Sequence, residues 1–382
     1  MMTPEEFRLL CSAPVREAIA ANRQRDPLAV ALDRRVPEAR LVATQLKYLA
    51  RAAAKLPSYA AADCILPPRA FEQASSEACA AAKQLAGERL LDLTCGLGVD
   101  ALYLSRRFRE VVTLERDPVL AAVARENFAR LGVRNVEVIE SDAEHFLARE
   151  GLRFDWIYAD PDRRSAEWRK LVRLEDCSPD IIALLPRLRQ AAPRLCLKNS
   201  PLFDVDEAFR LFPESRVEVL SAAGECKEVV IYDDRTGPCL TATALGLGSF
   251  TASPDDPTPA EAPAFDPARY RWLVIPDVAL QKARLVRRHL HGKADCWSEN
   301  GYGFAVERPE GQLGRLLEID RIEPFDPKAL RREVKGRGID LLKRDFPTPP
   351  DELRKKLGAR AGDELRIALT KIGGRSWSIR LK

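Results

Sequence analysis

The 382-residue sequence lacks several features that would assign it to common classes of protein. It has no uninterrupted apolar run of the roughly 18 residues that a membrane-spanning helix needs. Its first residues contain no basic stretch followed by an apolar core, so we expect no secretory signal and a cytoplasmic protein. A content of 46% hydrophobic and 31% charged residues is typical of a globular chain of two or three domains.

Histidine is scarce, and cysteine pairs with metal-ligand spacing are absent. The chain has three histidines and nine cysteines, and no two cysteines form a C-x-x-C pair. This pattern predicts reduced thiols and no zinc site. We interpret the pair His289 and His291 as helix-end residues rather than ligands, and Cys95 as a packing residue rather than a nucleophile. No metal is expected as a cofactor.

Residues 90–100 read as a buried strand that ends in a glycine turn and opens a helix. Gly96 and Gly98 allow the backbone to approach a ligand closely, and the helix that follows directs free N–H groups at it. Gly96-x-Gly98-x-x-Ala101 also satisfies the loose dinucleotide pattern, with Glu115 near the expected position of a ribose-binding acid. The turn alone therefore leaves open which adenosine cofactor it binds.

Composition and periodicity divide the chain into four regions. Residues 1–66 have the apolar spacing of helices, and residues 67–250 alternate short apolar runs with helical segments, as parallel strands with crossover helices do. Residues 251–268 are a proline-rich linker, and residues 269–382 form a small basic domain. We predict an α/β fold: a Rossmann-like sheet of seven strands that ends in an antiparallel hairpin, a helical N-terminal region and a small α+β C-terminal domain.

The segments behind this prediction are short. The strands predicted for the sheet are 89–94, 110–115, 136–140, 154–159, 194–198, 216–221 and 228–233. The strands predicted for the C-terminal domain are 272–275, 302–306, 316–321, 339–343, 364–371 and 377–381, and its predicted helices are 278–290, 327–335 and 350–357.

Three acids mark the ends of successive predicted strands. Asp92 lies on the first strand, Glu115 ends the second and Asp142 follows the third. The carboxyl ends of parallel strands face the ligand crevice, so these acids should meet there. We assign Asp92 to a ligand ammonium, Glu115 to a ribose diol and Asp142 to an adenine amino group. Each acid could instead cap a helix or solvate a loop.

These residues resemble the class I S-adenosylmethionine-dependent methyltransferases. Members of this class have an acid-x-x-x-Gly-x-Gly turn, matched by Asp92, Gly96 and Gly98, and then acids that match Glu115 and Asp142. The resemblance implies S-adenosylmethionine as the cofactor. The cofactor-binding residues predicted here are Gln73, Ser75, Asp92, Thr94, Gly96, Gly98, Asp100, Glu115, Arg116, Asp142 and Ala143.

The fourth predicted strand is followed by Asp160 and Pro161. Members that methylate amino groups carry an Asp/Asn-Pro-Pro-aromatic motif there, and Asp160-Pro161 matches its first half. Asp162 and Arg163 depart from the second half, which leaves no aromatic residue to stack on a target base. The resemblance implies that Asp160 and a nearby backbone carbonyl hold an acceptor nitrogen. The predicted catalytic residues are Asp160, Pro161 and Arg163.

The same crevice should receive several cations. The guanidinium groups of Arg163 and Arg164 suit a phosphate or carboxylate, although an internal salt bridge to a neighbouring acid is the alternative. Lys198, at the end of the fifth strand, could hold an anionic substrate or form an ion pair. We predict Arg163, Arg164 and Lys198 as substrate-binding residues.

A narrower resemblance extends over nearly the whole chain. The motifs at 71–77, 160–164, 224–228 and 370–375 resemble those of a bacterial family with a helical N-terminus, a methyltransferase core and a THUMP-like C-terminal domain. THUMP domains bind RNA, so the resemblance implies an RNA substrate. Residues 331–382 carry 15 Lys and Arg against 7 Asp and Glu. This excess of positive charge is consistent with a polyanionic partner and equally with exposed helices that lysine and arginine keep solvated.

We therefore predict a methyltransferase that acts on an exocyclic or ring nitrogen of a base in RNA, either tRNA or rRNA. The alternatives are a methyltransferase of small molecules, an NAD(P)-dependent oxidoreductase and a noncatalytic RNA-binding protein. Neither a membrane nor a metal is predicted as a partner, and the sequence does not specify an oligomeric state.

Overall fold

A computed structural model describes residues 2–163, 173–260, 262 and 264–382. Its helices are α1 (Pro4–Cys11), α2 (Ala13–Ala21), α3 (Pro27–Ala31), α4 (Ala39–Lys55), α5 (Pro57–Ala61), α6 (Pro68–Gln73), α7 (Glu77–Ala82), α8 (Val99–Leu104), α9 (Pro118–Arg130), α10 (Ala143–Phe146), α11 (Ile181–Ala191), α12 (Val205–Leu211), α13 (Val278–Lys282), α14 (Val286–Leu290), α15 (Pro327–Val334) and α16 (Pro350–Leu357). A short 3-10 helix spans Leu174–Asp176.

The strands follow the same order along the chain. They are β1 (Gly87–Asp92), β2 (Phe108–Glu115), β3 (Val136–Glu140), β4 (Trp156–Ala159), β5 (Asp162–Arg163), β6 (Cys177–Ser178), β7 (Leu195–Asn199), β8 (Arg216–Ala222), β9 (Glu225–Asp233), β10 (Cys239–Ala244), β11 (Gly248–Ala252), β12 (Trp272–Pro276), β13 (Gly303–Ala305), β14 (Gly314–Pro324), β15 (Gly338–Lys343), β16 (Arg360–Ala361), β17 (Leu365–Ile372) and β18 (Arg375–Leu381). The chain forms two compact units, Met1–Ser215 with Val230–Thr236, and Arg216–Val229 with Gly237–Lys382.

The first unit contains the predicted parallel sheet. Its strands lie in the order β3-β2-β1-β4-β7-β9, and the pairs among β1, β2, β3, β4 and β7 are parallel. In this register Asp92 lies opposite Thr113 on β2 and Tyr158 on β4. Side chains at the carboxyl ends of these strands are therefore brought to one edge of the sheet, where ligands of such sheets bind.

Two buried amides fix the segment that leads from the N-terminal helices to the sheet. Gln45 donates to the carbonyl of Cys64 at 2.7 Å and accepts from Leu66 N at 3.2 Å. Asn127 accepts from Ile65 N at 2.7 Å and donates to its carbonyl at 2.9 Å. Because buried amides without partners are costly, these bonds favour one path for the chain. Apolar residues of the helices and of the sheet form one continuous core.

Residues 216–229 of the second unit contain β8 and the first half of β9, which form the predicted hairpin. Their two-residue turn has positive φ at Ala223 (52°) and Gly224 (77°), as a type I′ turn requires. The expected class of fold is confirmed, but the expected count of seven strands was too low. Strand β10 pairs with β8 in parallel and β11 pairs with β10 antiparallel. The alternate burial of 239–244 identifies β10 as a strand, although small Ala and Thr side chains make that pattern weak in the sequence.

The C-terminal part of the second unit has a sheet of its own. Within the described residues its order is β13-β12-β14-β18-β17-β15-β16, and β15, α16 and β17 form a parallel strand–helix–strand unit. The single helix predicted over 278–290 was wrong: Arg284, with φ of 55°, separates α13 from α14. Trp377 is buried in the core and Trp297 packs against that core, as the sequence indicated.

Candidate functional site

The glycine turn after β1 has the conformation that glycine alone adopts easily. Gly96 has φ of 55° and Gly98 has φ of 84°. A Cβ atom at Gly96 would meet no atom within 4 Å, whereas one at Gly98 would lie 2.6 Å from Cζ of Phe128. Gly96 therefore borders open space and Gly98 packs against the core. The hydroxyl of Tyr59 donates to the carbonyl of Leu97 at 3.1 Å and braces the turn between the two glycines.

Asp92 is buried at the end of β1, with 1% of its surface exposed. One carboxylate oxygen accepts from Thr94 N at 2.9 Å, and the other accepts from the hydroxyl of Thr113 at 2.7 Å. Burial raises the pKa of Asp92 to about 7, although these hydrogen bonds favour the charged form. The carboxyl group is therefore close to half ionised at neutral pH.

Glu115 at the end of β2 is tied to the turn. Its carboxylate accepts from Gly96 N at 2.9 Å and from Asp117 N at 3.0 Å. Burial raises its pKa, and the two backbone donors partly oppose this effect. Each carboxylate oxygen has more than one lone-pair direction, so Glu115 can accept further hydrogen bonds while it holds the turn.

Asp100, in the first turn of α8, forms a buried ion pair that sequence reasoning missed. Lys83 Nζ lies 3.0 Å from its carboxylate, and Lys83 is 1% exposed. The hydroxyl of Ser75 donates to the other oxygen at 2.7 Å. Burial alone would raise the pKa of Asp100, but the charges of Lys83 and Lys198 outweigh it and lower the pKa. Lys83 ends an alanine-rich apolar run, and a lone cation in that setting was the signal available in the sequence.

Asp160 lies directly after β4 and is joined to the glycine turn through its backbone. Asp160 N donates to the hydroxyl of Thr94 at 2.7 Å. The ammonium group of Lys198, on β7, donates to the carboxylate of Asp160. Burial raises the pKa of Asp160, Lys198 lowers it and the charge of Asp100 raises it. The sequence left Lys198 as either a substrate-binding residue or part of an ion pair, and the structure shows an ion pair in which Lys198 is buried and Asp160 is partly exposed.

Asp142 after β3 has a structural partner of its own. Its carboxylate accepts from His145 N at 2.7 Å and thereby caps α10. The His145 ring also lies within hydrogen-bonding distance, and the backbone bond to His145 is the main reason that the pKa of Asp142 is lowered. Ala143, the first residue of α10, is buried. The capping role, which the sequence left as the alternative for Asp142, is therefore present.

Gln73 and Arg116 form hydrogen bonds with other side chains, whereas the side chains of Arg163 and Arg164 are not described. Gln73 donates to Asp162 at 3.4 Å, and Arg116 donates to the hydroxyl of Ser178 at 3.2 Å. Arg163 belongs to β5, which pairs with β6. The side chain of Arg163 and the whole of Arg164 lie outside the described residues. Pro161 follows Asp160 and leads into β5.

Glu77 links the N-terminal helices to α8, and it too was missed. It is 4% exposed and accepts from Ser58 N and the Ser58 hydroxyl, both at 2.8 Å, and from the Tyr103 hydroxyl at 2.6 Å. Its partners are distant in sequence, so no local pattern could identify them.

The described residues contain neither a candidate metal site nor a candidate membrane span. No cluster of three or more His, Cys, Asp or Glu among the described residues is placed to bind a metal ion. In the same part of the chain, no helix has both the length and the apolar character required to cross a membrane. All nine cysteines are free thiols. His289 is buried and accepts from Leu313 N at 2.8 Å, which gives it a structural partner.

Comparisons with known proteins identify two domains of the chain. Family models described as a methyltransferase domain and as THUMP domain-like match residues 90–173 and 314–382. An uncharacterised S-adenosylmethionine-dependent methyltransferase of Mycobacterium tuberculosis is 29% identical over 340 residues, 86% of this chain and 91% of that protein. Ribosomal RNA small subunit methyltransferase J of Coxiella burnetii is 34% identical over 130 residues, 30% of this chain and 50% of its own length.

The fold is shared with a solved structure. A Porphyromonas gingivalis protein described as a methyltransferase matches with a TM-score of 0.83 at 24% identity, over 100% of this chain and 99% of its own. These findings decide between the cofactors that the glycine turn left open. The chain is an S-adenosylmethionine-dependent methyltransferase that contains a methyltransferase domain and a C-terminal THUMP-like domain.

Proposed function

We propose that this enzyme methylates a nitrogen of a base in RNA, either tRNA or rRNA. The observation that carries this proposal is the placement of Asp160. Its backbone is bonded to Thr94 within the glycine turn, and its carboxylate is held by Lys198. A carboxylate fixed beside the turn that holds the cofactor can orient an acceptor that carries N–H groups.

The residues around the turn fit the cofactor. Open space in front of Gly96 leaves room for a ligand against the backbone. Glu115 has acceptor capacity for a ribose diol, Asp92 is an acid suited to an ammonium group, and Asp142 with Ala143 N is suited to the adenine edge. When bound, S-adenosylmethionine supplies an electrophilic methyl group and its own leaving group.

The protein's contribution is to orient and desolvate the acceptor. Asp160 accepts hydrogen bonds from the acceptor nitrogen and so directs its lone pair. Lys198 keeps the carboxylate in one orientation through their ion pair. Because burial raises the pKa of Asp160, its carboxylate is also a suitable acceptor for the proton that the nitrogen releases. This arrangement needs no histidine, in agreement with the composition of the chain.

Three observations support RNA as the substrate. Residues 331–382 carry the excess of positive charge, and residues 314–382 match a THUMP domain-like family. The Coxiella burnetii relative, similar over 30% of this chain, is named for ribosomal RNA. Positive charge of this kind supplies the phosphate contacts on which RNA affinity depends.

The role of Asp160 predicts a separation between binding and turnover. We expect Asp160→Ala and Asp160→Asn to bind S-adenosylmethionine as the wild type does and to lose about 100-fold or more in methyl transfer, because the acceptor is no longer oriented. Calorimetry measures the first quantity and transfer of labelled methyl groups the second. Glu137→Gln, which changes an exposed acid of β3, is the control and should retain turnover. Equal losses of cofactor binding and turnover in both Asp160 variants would contradict this role.

The substrate itself is identified by the methylated product. The purified enzyme is incubated with labelled S-adenosylmethionine and, separately, with fractionated cellular RNA and with the metabolite pool. We expect label in RNA, located on a base nitrogen by mass spectrometry of the digested nucleosides. Label confined to the metabolite pool would establish a small-molecule methyltransferase and overturn the RNA proposal.

A further inference from the structure

The C-terminal sheet contains a crevice that the methyltransferase site does not use. It has a volume of about 530 Å³, and its walls include Lys343, Arg344, Lys371, Asn300 and Gln281. This volume falls within the range of sites for small organic groups, so the crevice can hold a phosphate together with an attached sugar. We name it the β15–β17 crevice.

The topology of the sheet explains why a ligand site can form at this place. Strands β15 and β17 are parallel and are joined through α16, and Lys343 pairs with Leu369 in their register. Lys343 ends β15, Arg344 follows it, and Lys371 lies near the end of β17. The carboxyl ends of parallel strands in open sheets are the usual position of a ligand crevice. Three cations therefore converge at the edge where such a sheet binds its ligand.

In the part of the chain that the structure describes, Arg344 forms no close ion pair, and the carboxylates of Asp277 and Asp345 attract it only at longer range. Its guanidinium donates to the carbonyl of Pro276 at 3.4 Å, and among the described residues no carboxylate lies within ion-pair distance of Arg344 or Lys371. Arg344 is half-buried, and this burial lowers its pKa. A partly buried guanidinium without a close ion pair is suited to an anionic group from outside the domain.

Other groups in the crevice agree with an anion as the ligand. The one wall carboxylate near these cations, Asp345, accepts from the hydroxyl of Ser298. Asp345 also has a φ of 50°, a backbone conformation that non-glycine residues seldom adopt outside turns and ligand sites. Tyr302, whose buried hydroxyl has no hydrogen-bond partner among the described residues, interacts electrostatically with Arg344.

We propose that the β15–β17 crevice binds a phosphate group of the RNA backbone, with Arg344 as the bidentate donor and Lys371 as a second cation. This inference rests on the proposed RNA substrate. Arg344 suits the assignment because a guanidinium group presents two parallel N–H donors to two phosphate oxygens. Lys371 suits the test because it is exposed and because its replacement leaves no buried group without a partner.

The experiment measures the affinity of the full chain for an unfractionated tRNA pool between 50 and 200 mM KCl, by filter binding. One lost phosphate contact reduces the slope of log affinity against log salt by about 0.7–0.9 and weakens binding about five- to eightfold at 0.1 M salt. We expect both effects in Lys371→Gln. Arg344→Lys keeps the positive charge but loses the two parallel N–H donors of the guanidinium group. It should therefore weaken tRNA binding and leave the slope of log affinity against log salt unchanged.

Lys355→Gln is the matched control, because it removes the same charge from an exposed lysine of α16 outside the crevice walls. Equal losses of tRNA affinity in Lys355→Gln and Lys371→Gln would show that the lysines attract RNA without a specific site, and would overturn the proposal of a phosphate site in the crevice. Wild-type affinity and slope in Lys371→Gln would also overturn it and would leave the RNA proposal intact. A wild-type chain that binds no tRNA or other cellular RNA would refute the proposed function and this inference together.

Discussion

At the scale of single residues, the site is defined by carboxyl groups that the fold shields from water, fully at Asp92 and in part at Glu115 and Asp160. Burial raises the pKa of Asp92, Glu115 and Asp160, whereas the neighbouring Asp100 is kept ionised by Lys83 and Lys198. A cationic ligand reverses the cost of charging these acids, because an adjacent positive charge favours the carboxylate. The apo site is therefore electrostatically prepared for a sulfonium ligand that also carries an ammonium group.

The pKa of Asp92 predicts how cofactor affinity depends on pH. Its pKa of about 7 means that, in the absence of ligand, a proton occupies the carboxyl group at lower pH. A ligand ammonium must displace that proton, so affinity for S-adenosylmethionine should rise about fivefold between pH 6 and pH 7 and more slowly above pH 7. Calorimetry between pH 5.5 and 7.5 tests this, since an α-amino group keeps most of its proton below about pH 7.7.

The variant Asp92→Asn isolates this effect. It should bind the cofactor more weakly and with a flat dependence on pH over the same range. The stability of the ligand-free chain supplies a second measurement. An acid whose pKa is raised on folding holds its proton more tightly in the folded state, so its contribution to stability declines as pH rises from about 4 to about 7. Asp92→Asn should remove this decline, and an unchanged pH dependence of affinity in the variant would refute the assigned role.

At the scale of elements, alanine substitutions at glycines of positive φ distinguish two effects: strain of the backbone and loss of the space that a ligand would occupy. Gly96→Ala and Gly132→Ala both place a Cβ on a residue of positive φ with no atom within 4 Å, so each should lose about 1–2 kcal/mol of stability. Gly96→Ala alone fills the space before the turn and should lose affinity for the cofactor. Gly98→Ala adds a clash with Phe128 and should be the least stable of the three. Denaturant unfolding measures the stability and calorimetry measures the cofactor affinity. Normal cofactor affinity in Gly96→Ala would refute the proposal that the cofactor lies against this turn.

The parallel strands were predictable because each contains closely spaced apolar residues, which are buried throughout β4 and β7, in parts of β1 and β2, and only at Val138 in the edge strand β3. The expected strand 136–140 has the same bounds in the structure, and the other parallel strands differ by a few residues at their ends. Strand β10 was missed because its Ala and Thr residues carry little hydrophobic signal. The break between α13 and α14 at Arg284 leaves no glycine or proline in the sequence to mark it. Secondary structure was therefore predictable where apolar burial alone determines it.

The site was predictable to the extent that local motifs define it. Asp92, Gly96 and Asp160 belong to motifs that lie directly after strands, so their approach to one another follows from a parallel sheet. Lys83 and Glu77 act through partners on other elements, and such pairings depend on tertiary packing. The boundaries of the four regions stay a prediction.

At the scale of the whole molecule, charge is distributed unevenly along the chain. Residues 331–382 have a net charge of +8 by formal count, and the rest of the chain carries −4. The cofactor site is rich in acidic side chains, whereas the C-terminal domain carries a net positive charge. A polyanion and a small cationic cofactor should respond to salt in different ways, because salt competes with each phosphate contact separately.

This difference distinguishes an RNA enzyme from a methyltransferase of small molecules. Each phosphate contact contributes a slope of about −0.9 to log affinity against log salt, so two contacts already cause about a tenfold loss of RNA affinity between 50 and 200 mM salt. We expect at least that loss for a tRNA pool and a much smaller change for S-adenosylmethionine, both measured on the full chain. If RNA affinity proves no more sensitive to salt than cofactor affinity, the positive charge of residues 331–382 does not serve a polyanion, and a small acceptor becomes the better assignment.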